Sequence, residues 1–353
     1  MTPPLTYLAI DLGASSGRGV LGTLDGDGRM AMREIHRFRT PLVEDGGHLW
    51  WDAEALWEEV RTALARALAA APGLRAVSVD SWAVDYVPLG TDGVALRRPY
   101  AYRDPRTRGR LDEAIERVPG GADALYARTG IQFLPFNTLP QVVADLADEP
   151  ALVARTAARL FIADYLLYRM TGRAVVERTM ASTSQLLDVR SGAWADDLIR
   201  AIGDDPARWP EVVVPGTVLG VVRDDALPAR RAAGPCAIGP SAIATCAHDT
   251  AAAIAAVPAT GDRPWAYISS GTWSLVGAEL VAPVLTPAAR AAGFTNEAGL
   301  DGTVRFLKNR TGMWVLEECL RAWAAAGAAV DWQTLVAEAA ASGPADGVVD
   351  LDA

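Results

Sequence analysis

The chain has 353 residues, 50% of them hydrophobic, and a formal net charge of −10. That length exceeds one small core, so two domains or one very large one are expected, and the acidic balance argues against a nucleic-acid or anionic-membrane surface, which needs a basic face. Three cysteines without a CxxC spacing and three widely separated histidines point to reduced thiols in a cytosolic protein and away from a local metal motif. A divalent ion would therefore be held by carboxylates, phosphates and water. The first residues lack the basic region and apolar run of a signal peptide, and no stretch of about 18 apolar residues occurs.

Residues 8–10 (LAI) read as a short strand, 11–18 (DLGASSGR) as a Gly/Ser loop, and Val20 and Leu21 resume the strand pattern, so a hairpin is expected. Its loop suits a phosphate: glycine lets the backbone approach a ligand, hydroxyls and N–H groups donate, and Arg18 adds charge. Asp11, at the strand end, is placed to hold Mg2+ through water. A plain turn with a capping aspartate is the alternative. Asp52 opens a helix whose Leu56, Val60, Leu64 and Leu68 recur at i, i+4 and form a core stripe, with Pro72-Gly73 ending it. Residues 76–79 form a strand leading into 80–87 (DSWAVDYV), where an aromatic between acids and a hydroxyl is the composition of a sugar site, or else a core Trp82 flanked by two solvated acids.

Residues 100–107 read as a polar loop before a helix over 111–118, and 130–137 (GIQFLPFN) are too apolar for a free loop, so they are expected to pack over something. Helices are expected over 139–146 and 150–160, with a third starting at 161–165. The small, polar 179–186 is a candidate second wall of a ligand cleft. The Pro/Gly-rich 223–240 marks the neighbourhood of an inter-domain connection, and the domains divide as 1–245 and 246–353.

The chain turns on residues 244–251 (ATCAHDTA). Ala242, Ile243, Ala244 and Thr245 read as a strand, His248-Asp249 as a polar step, and 251–256 as an alanine-rich helix. A carboxylate there meets converging backbone donors and the positive end of the helix dipole, although aspartate is also a favoured N-cap. Residues 265–275 repeat the N-terminal form of strand, Ser-Ser-Gly, strand; two such hairpins facing each other would clasp a polyphosphate. Residues 306–314 lead into a helix through Leu316 and Leu320, a last helix runs over 332–340, and the tail from 342 is small and acidic.

A strand-end acid, two hydroxyl/glycine loops and an Asp-Trp-Asp segment fit phosphoryl transfer from ATP to a sugar hydroxyl, in which the protein positions groups and neutralises charge. On DLGASSGR (11–18), EIHRF (34–38), DSWAVDY (80–86), YRDPRT (102–107), GIQFLPFNTL (130–139), AHDTAAA (247–253), SSGTWSL (269–275) and LKNRTG (307–312), the chain resembles the FGGY carbohydrate kinases. The resemblance implies an α/β, actin-like (ribonuclease H-like) two-domain ATPase fold, a cytoplasmic enzyme, and use of ATP with Mg2+ to phosphorylate L-rhamnulose at its 1-hydroxyl. A truncated sugar-binding fragment without turnover, or a kinase of another ketose such as xylulose or fuculose, are the other readings. By the same resemblance Asp249 is the general base, and Ala83, His248, Asp249, Thr250 and Asn309 hold the sugar. Ala14, Ser15, Ser16, Gly17, Arg18, Thr272 and Glu317 would hold ATP, and Asp11 would support Mg2+. The chain departs from the family at Ala83, where some members have glycine, and at Glu317, where glutamine is expected. It also stops before the glycine-rich adenine pocket, so the second domain is expected to be incomplete.

Overall fold

The computed structural model describes residues 4–227, 239–259, 264–344 and 347. Strand β1 (Leu5–Leu12) buries Leu8, Ile10 and Leu12 on alternate positions and returns as β2 (Ser16–Leu24) in an antiparallel hairpin that pairs Asp11 with Arg18. Strand β3 (Met30–Arg39) extends this sheet. Helix α1 (Ala53–Ala70) begins where expected, because the Asp52 carboxylate accepts the Ala55 N–H at 3.0 Å. Its stripe of Leu56, Val60 and Leu64 is fully buried. Strand β4 (Ala76–Ser81) then lies parallel to β1, with Asp80 opposite Asp11.

The helix expected over 150–160 is shorter than its apolar pattern suggests. It ends at Arg155, and Ala158–Phe161 is a strand antiparallel to Tyr86–Leu89. Leu160 and Phe161 are fully buried there, and the buried Arg159 pairs with the buried Asp204 at 2.7 Å. The expected neighbours are present as α2 (Thr138–Asp148) and α3 (Ile162–Thr171). Strands β5 (Thr217–Val221) and β6 (Ser241–Ala244) complete a sheet in the order β5-β6-β4-β1-β2-β3. Of the loop-rich 223–240, residues 228–238 lie outside the described residues, and the chain beyond them re-enters the same sheet.

Passage to the second lobe comes a few residues later. Ala247 belongs to the first core, whereas Ile254, on the short helix α4 (Asp249–Ala255), packs with Tyr267, Leu275 and Leu307 of a second, smaller core. That core lies on an antiparallel sheet of β7 (Ala266–Ser270), β8 (Trp273–Leu280), β9 (Thr295–Ala298) and β10 (Val304–Thr311), in the order β7-β8-β10-β9. Helices α5 (Trp314–Ala325) and α6 (Trp332–Ala341) come last, without a buried residue in either. Most of the acidic tail, 345–346 and 348–353, lies outside the described residues. Cys246 and Cys319 are free thiols, and Cys236 falls outside the described residues. Among the described residues no helix is long and apolar enough to cross a membrane.

The arrangement brings chemistry to one edge of the first sheet. Strands β1, β4 and β6 run parallel, so their C-terminal ends lie side by side, and ligands in such sheets collect there. The Ser81 N–H donates to Ala247 O at 2.9 Å and the Trp82 N–H to Leu12 O at 3.1 Å, which stitches Asp11, Asp80 and His248-Asp249 into one neighbourhood.

Candidate active site

A cleft of about 400 Å3 opens at that edge, between the lobes. The first lobe contributes Asp11, Gly13, Ala14 and Arg18 from the β1–β2 turn, Trp82, Ala83 and Val84 from the exit of β4, and Leu134, Phe136 and Asn137. The second contributes residues 269–273 of the β7–β8 turn, Glu297 and Asn309. His248, Asp249 and Thr250 sit where the chain passes between the two. The two Ser-Ser-Gly hairpins read from the sequence therefore do face a common space.

Nine of the residues singled out from the sequence line this cleft: Asp11, Ala14, Arg18, Ala83, His248, Asp249, Thr250, Thr272 and Asn309. Ser15, Ser16, Gly17 and Glu317 are not among its lining residues. Ser15 and Ser16 offer backbone carbonyls to Thr40 N and Gly13 N, at 3.2 and 3.0 Å, so they shape the turn from within. Gly17 faces the core, where an added Cβ would lie 2.6 Å from Phe38 Cε2 and closer still to Cζ. Glu317 lies in the first turn of α5, its N–H bonded to Met313 O.

Asp249 is the first residue of α4, and its Oδ1 accepts the Thr250 N–H at 2.6 Å and the Thr250 hydroxyl at 3.2 Å. The side chain keeps 33% of its surface open, toward the cleft it lines. Burial pushes its carboxyl above the ordinary carboxylate range; the Thr250 N–H acts against this, as a protonated His248 would, and the charge of Asp11 adds to it. Asp11 is paired with Arg18 at 2.9 Å. Asp80, read from the sequence as one acid of a sugar-site segment or else a solvated acid, lies opposite Asp11 in register; burial, the nearby charges of Asp11 and Asp249, and a hydrogen bond with Asp11 hold it well above the usual range. Its signal is the DSW motif, but the meaning of that motif depends on a strand pairing no local pattern reveals.

Below the cleft, Asp85 is fully buried, and its carboxylate accepts from Trp51 Nε1 at 2.6 Å, Gln141 Nε2 at 2.9 Å, Tyr102 N at 3.0 Å and Trp82 Nε1 at 3.1 Å. Burial outweighs these donors and lifts its pKa to about 7. Neither flanking reading of Trp82 holds alone: the ring is 5% exposed, lines the cleft, and sits beside a buried rather than a solvated acid. Val84 between them has φ 69°, a left-handed conformation that is a genuine outlier for a β-branched residue. It is held by Thr138, whose hydroxyl donates to Val84 O at 2.8 Å.

The segment 179–186 contributes only Thr183 to the cleft wall. Its larger part is supportive: Thr179 Oγ1 accepts the His248 N–H at 3.2 Å, and the preceding buried Glu177 accepts the Ala247 N–H at 2.9 Å. Residues 130–137 pack, as expected, over something, namely the second lobe. Asn309 Nδ2 donates to Gln132 Oε1 at 3.2 Å, Asn296 Nδ2 to Gly130 O at 3.1 Å, and the Phe136 and Trp273 rings lie 5.3 Å apart.

The donor set fits a polyphosphate with a hard cation. Gly13 lets the turn close tightly, since a Cβ there would come 3.1 Å from Ser16 O, and Arg18, Ser269, Ser270 and Thr272 line the cleft with charge and hydroxyls. Among the described residues no group of three metal-ligating side chains is preassembled. Mg2+ is commonly held by one or two carboxylates together with phosphate oxygens and water, and Asp11 is a carboxylate lining the cleft.

Two lobes thus each present a hydroxyl/glycine turn to one cleft, with an acid where the chain passes between them. Residues 6–255 match the N-terminal domain and residues 266–353 the C-terminal domain of the FGGY family of carbohydrate kinases, and the chain belongs to that family. Its relatives include the rhamnulokinase of Bacteroides thetaiotaomicron, 40% identical over 317 residues that cover 90% of this chain and 64% of that protein. The rhamnulokinase of Pectobacterium carotovorum is 44% identical over 313 residues, 88% of this chain and 60% of that protein. The chain thus spans under two thirds of the length of these curated relatives. Among solved structures, ligand-bound xylulose kinase from Lactobacillus acidophilus superposes with a TM-score of 0.72 at 19% identity, covering 86% of this chain and 59% of that one. Plasmodium falciparum glycerol kinase with ADP gives a TM-score of 0.73 at 13% identity, over 90% and 64%. The expected two-domain α/β, actin-like fold is borne out by these likenesses.

Proposed function

We propose that the chain carries out ATP-dependent phosphorylation of L-rhamnulose at its 1-hydroxyl, with Mg2+. The observation that supports this most is Asp249, a partly open carboxylate at the hinge of a cleft walled on both sides by hydroxyl/glycine turns. In this reading Asp249 takes the proton of the sugar hydroxyl. A carboxylate is a weak base for an alcohol, but in a loose transition state the hydroxyl acidifies as its bond to phosphorus forms, so the proton moves late. Burial, by raising the affinity of Asp249 for a proton, helps. Ala83, His248, Thr250 and Asn309 orient the sugar, with the Trp82 ring available to cover an apolar face.

Ala14, Arg18 and Thr272 receive the phosphates, with Ser15, Ser16 and Gly17 setting the turn and Glu317 left for the nucleoside end. Bound Mg2+ would neutralise phosphate charge, with Asp11 as its protein ligand. Approach of the lobes would exclude water and limit wasteful ATP hydrolysis. The test is ADP release by the full chain with L-rhamnulose, xylulose and fuculose, compared by kcat/KM. L-rhamnulose is expected to rank first; turnover with none of them, or a different ketose ahead, overturns the proposal.

A further inference from the structure

We infer that Arg305, reaching across from the second lobe, holds His248 as the neutral tautomer protonated on Nε2, so that the imidazole beside Asp249 donates a hydrogen bond into the cleft without carrying charge. The inference deepens the kinase reading and rests on it for the role of Asp249. It starts from a fully buried cation. Arg305, on β10, has no exposed surface; its Nε donates to Ala298 O at 3.0 Å, and its Nη2 lies 3.0 Å from Glu297 Oε2 and 3.1 Å from His248 Nδ1. A guanidinium has only donors and stays protonated in proteins. A hydrogen bond from it to Nδ1 therefore requires a lone pair on that nitrogen, which leaves the ring proton on Nε2.

Nε2 lies 3.3 Å from Asp249 Oδ1, and both residues line the cleft. The rival for Nδ1 is Glu297, whose Oε2 stands 3.3 Å away, farther than Arg305 and itself paired with it. The backbone of the histidine is fixed independently by Thr179. The chemical benefit lies in the neighbour. An imidazolium beside Asp249 would stabilise its carboxylate and make it a poorer base, whereas a neutral N–H donor orients the base or the sugar without that penalty. Arg305 is thus a positioning residue, acting through His248, and because it sits on a second-lobe strand the tautomer is set across the seam between the lobes.

The chain has only three histidines, His36, His48 and His248, so long-range 1H–15N correlation spectra of the 15N-labelled full chain resolve each ring, with His248→Gln identifying the third. Near neutral pH, His248 is expected to show a protonated Nε2 and a bare Nδ1. Arg305→Met is expected to shift it to the Nδ1–H form facing Glu297 or to imidazolium, and Glu297→Gln to leave the tautomer unchanged. A wild-type ring protonated on Nδ1 or on both nitrogens overturns the inference, as does a tautomer that changes with Glu297→Gln. The wild-type spectrum decides even if the Arg305 variant does not fold. Phosphoryl transfer measured on the same sample separates the two claims: an Nε2–H ring in a protein that phosphorylates no ketose leaves this inference standing and removes the kinase reading, and an Nδ1–H ring in an active enzyme does the reverse.

Discussion

Replacing Asp249 with asparagine separates chemistry from folding. The amide keeps an oxygen where Oδ1 accepts the Thr250 N–H and hydroxyl, so the start of α4 stays satisfied. It also removes one negative charge from a neighbourhood that already holds Asp11 and Asp80. Stability is therefore expected to change by less than about 1 kcal/mol. Under the proposed mechanism the proton acceptor is gone, however, and kcat is expected to fall by about 10²- to 10⁴-fold, or roughly 3–5 kcal/mol of barrier. ADP release with L-rhamnulose reads the first quantity, and urea unfolding followed by tryptophan fluorescence reads the second. Turnover kept within about tenfold of wild type would refute the assignment of the base. A stability loss above about 2 kcal/mol would instead show that Asp249 is chiefly structural.

Because burial raises the Asp249 pKa and the proposed base is the ionised form, kcat is expected to fall as pH drops through a window above the ordinary carboxylate range, and Thr250→Val, which removes a donor to the charged form, moves that limb to higher pH; an unmoved or lowered limb contradicts this. Asp85 titrates at about 7 when folded and near about 3.9 when unfolded, so the folded state binds its proton more tightly. Its contribution to stability is then greatest below about pH 4 and declines as pH rises to about 7. The stability gap between wild type and Asp85→Asn should accordingly narrow from about pH 5 to about pH 8 in urea titrations, and a widening gap refutes the shift. Gly17→Ala places a methyl 2.6 Å from Phe38 Cε2 and 2.9 Å from Leu12 Cδ2, and denaturant midpoints should register a loss of about 1–3 kcal/mol; a neutral result would mean the β1–β2 hairpin yields freely.

Local features are the ones legible in the sequence. The helix from Asp52 and the two Ser-Ser-Gly hairpins are where their residues put them, because caps, i, i+4 stripes and turn glycines act within a few residues. Ala158–Phe161 reads as helix because a short buried strand and a buried helix look alike in apolar pattern, and only its pairing with Tyr86–Leu89 decides for strand. The supports of the cleft are illegible for a related reason. Glu177 reaches Ala247, Asp80 meets Asp11 and Arg305 meets His248 through strand register and lobe packing, none of which leaves a mark at short spacing.

If the cleft binds a nucleotide and Mg2+ as proposed, the Arg18–Asp11 pair couples the two to each other. Both side chains are well exposed, 48% and 37%, so their mutual attraction is small and easily exchanged. A phosphate drawing the guanidinium to itself would leave the carboxylate without its counter-ion, and a cation arriving at the carboxylate would release the guanidinium. Each newcomer thus makes room for the other, and by thermodynamic linkage the two must favour one another's arrival equally.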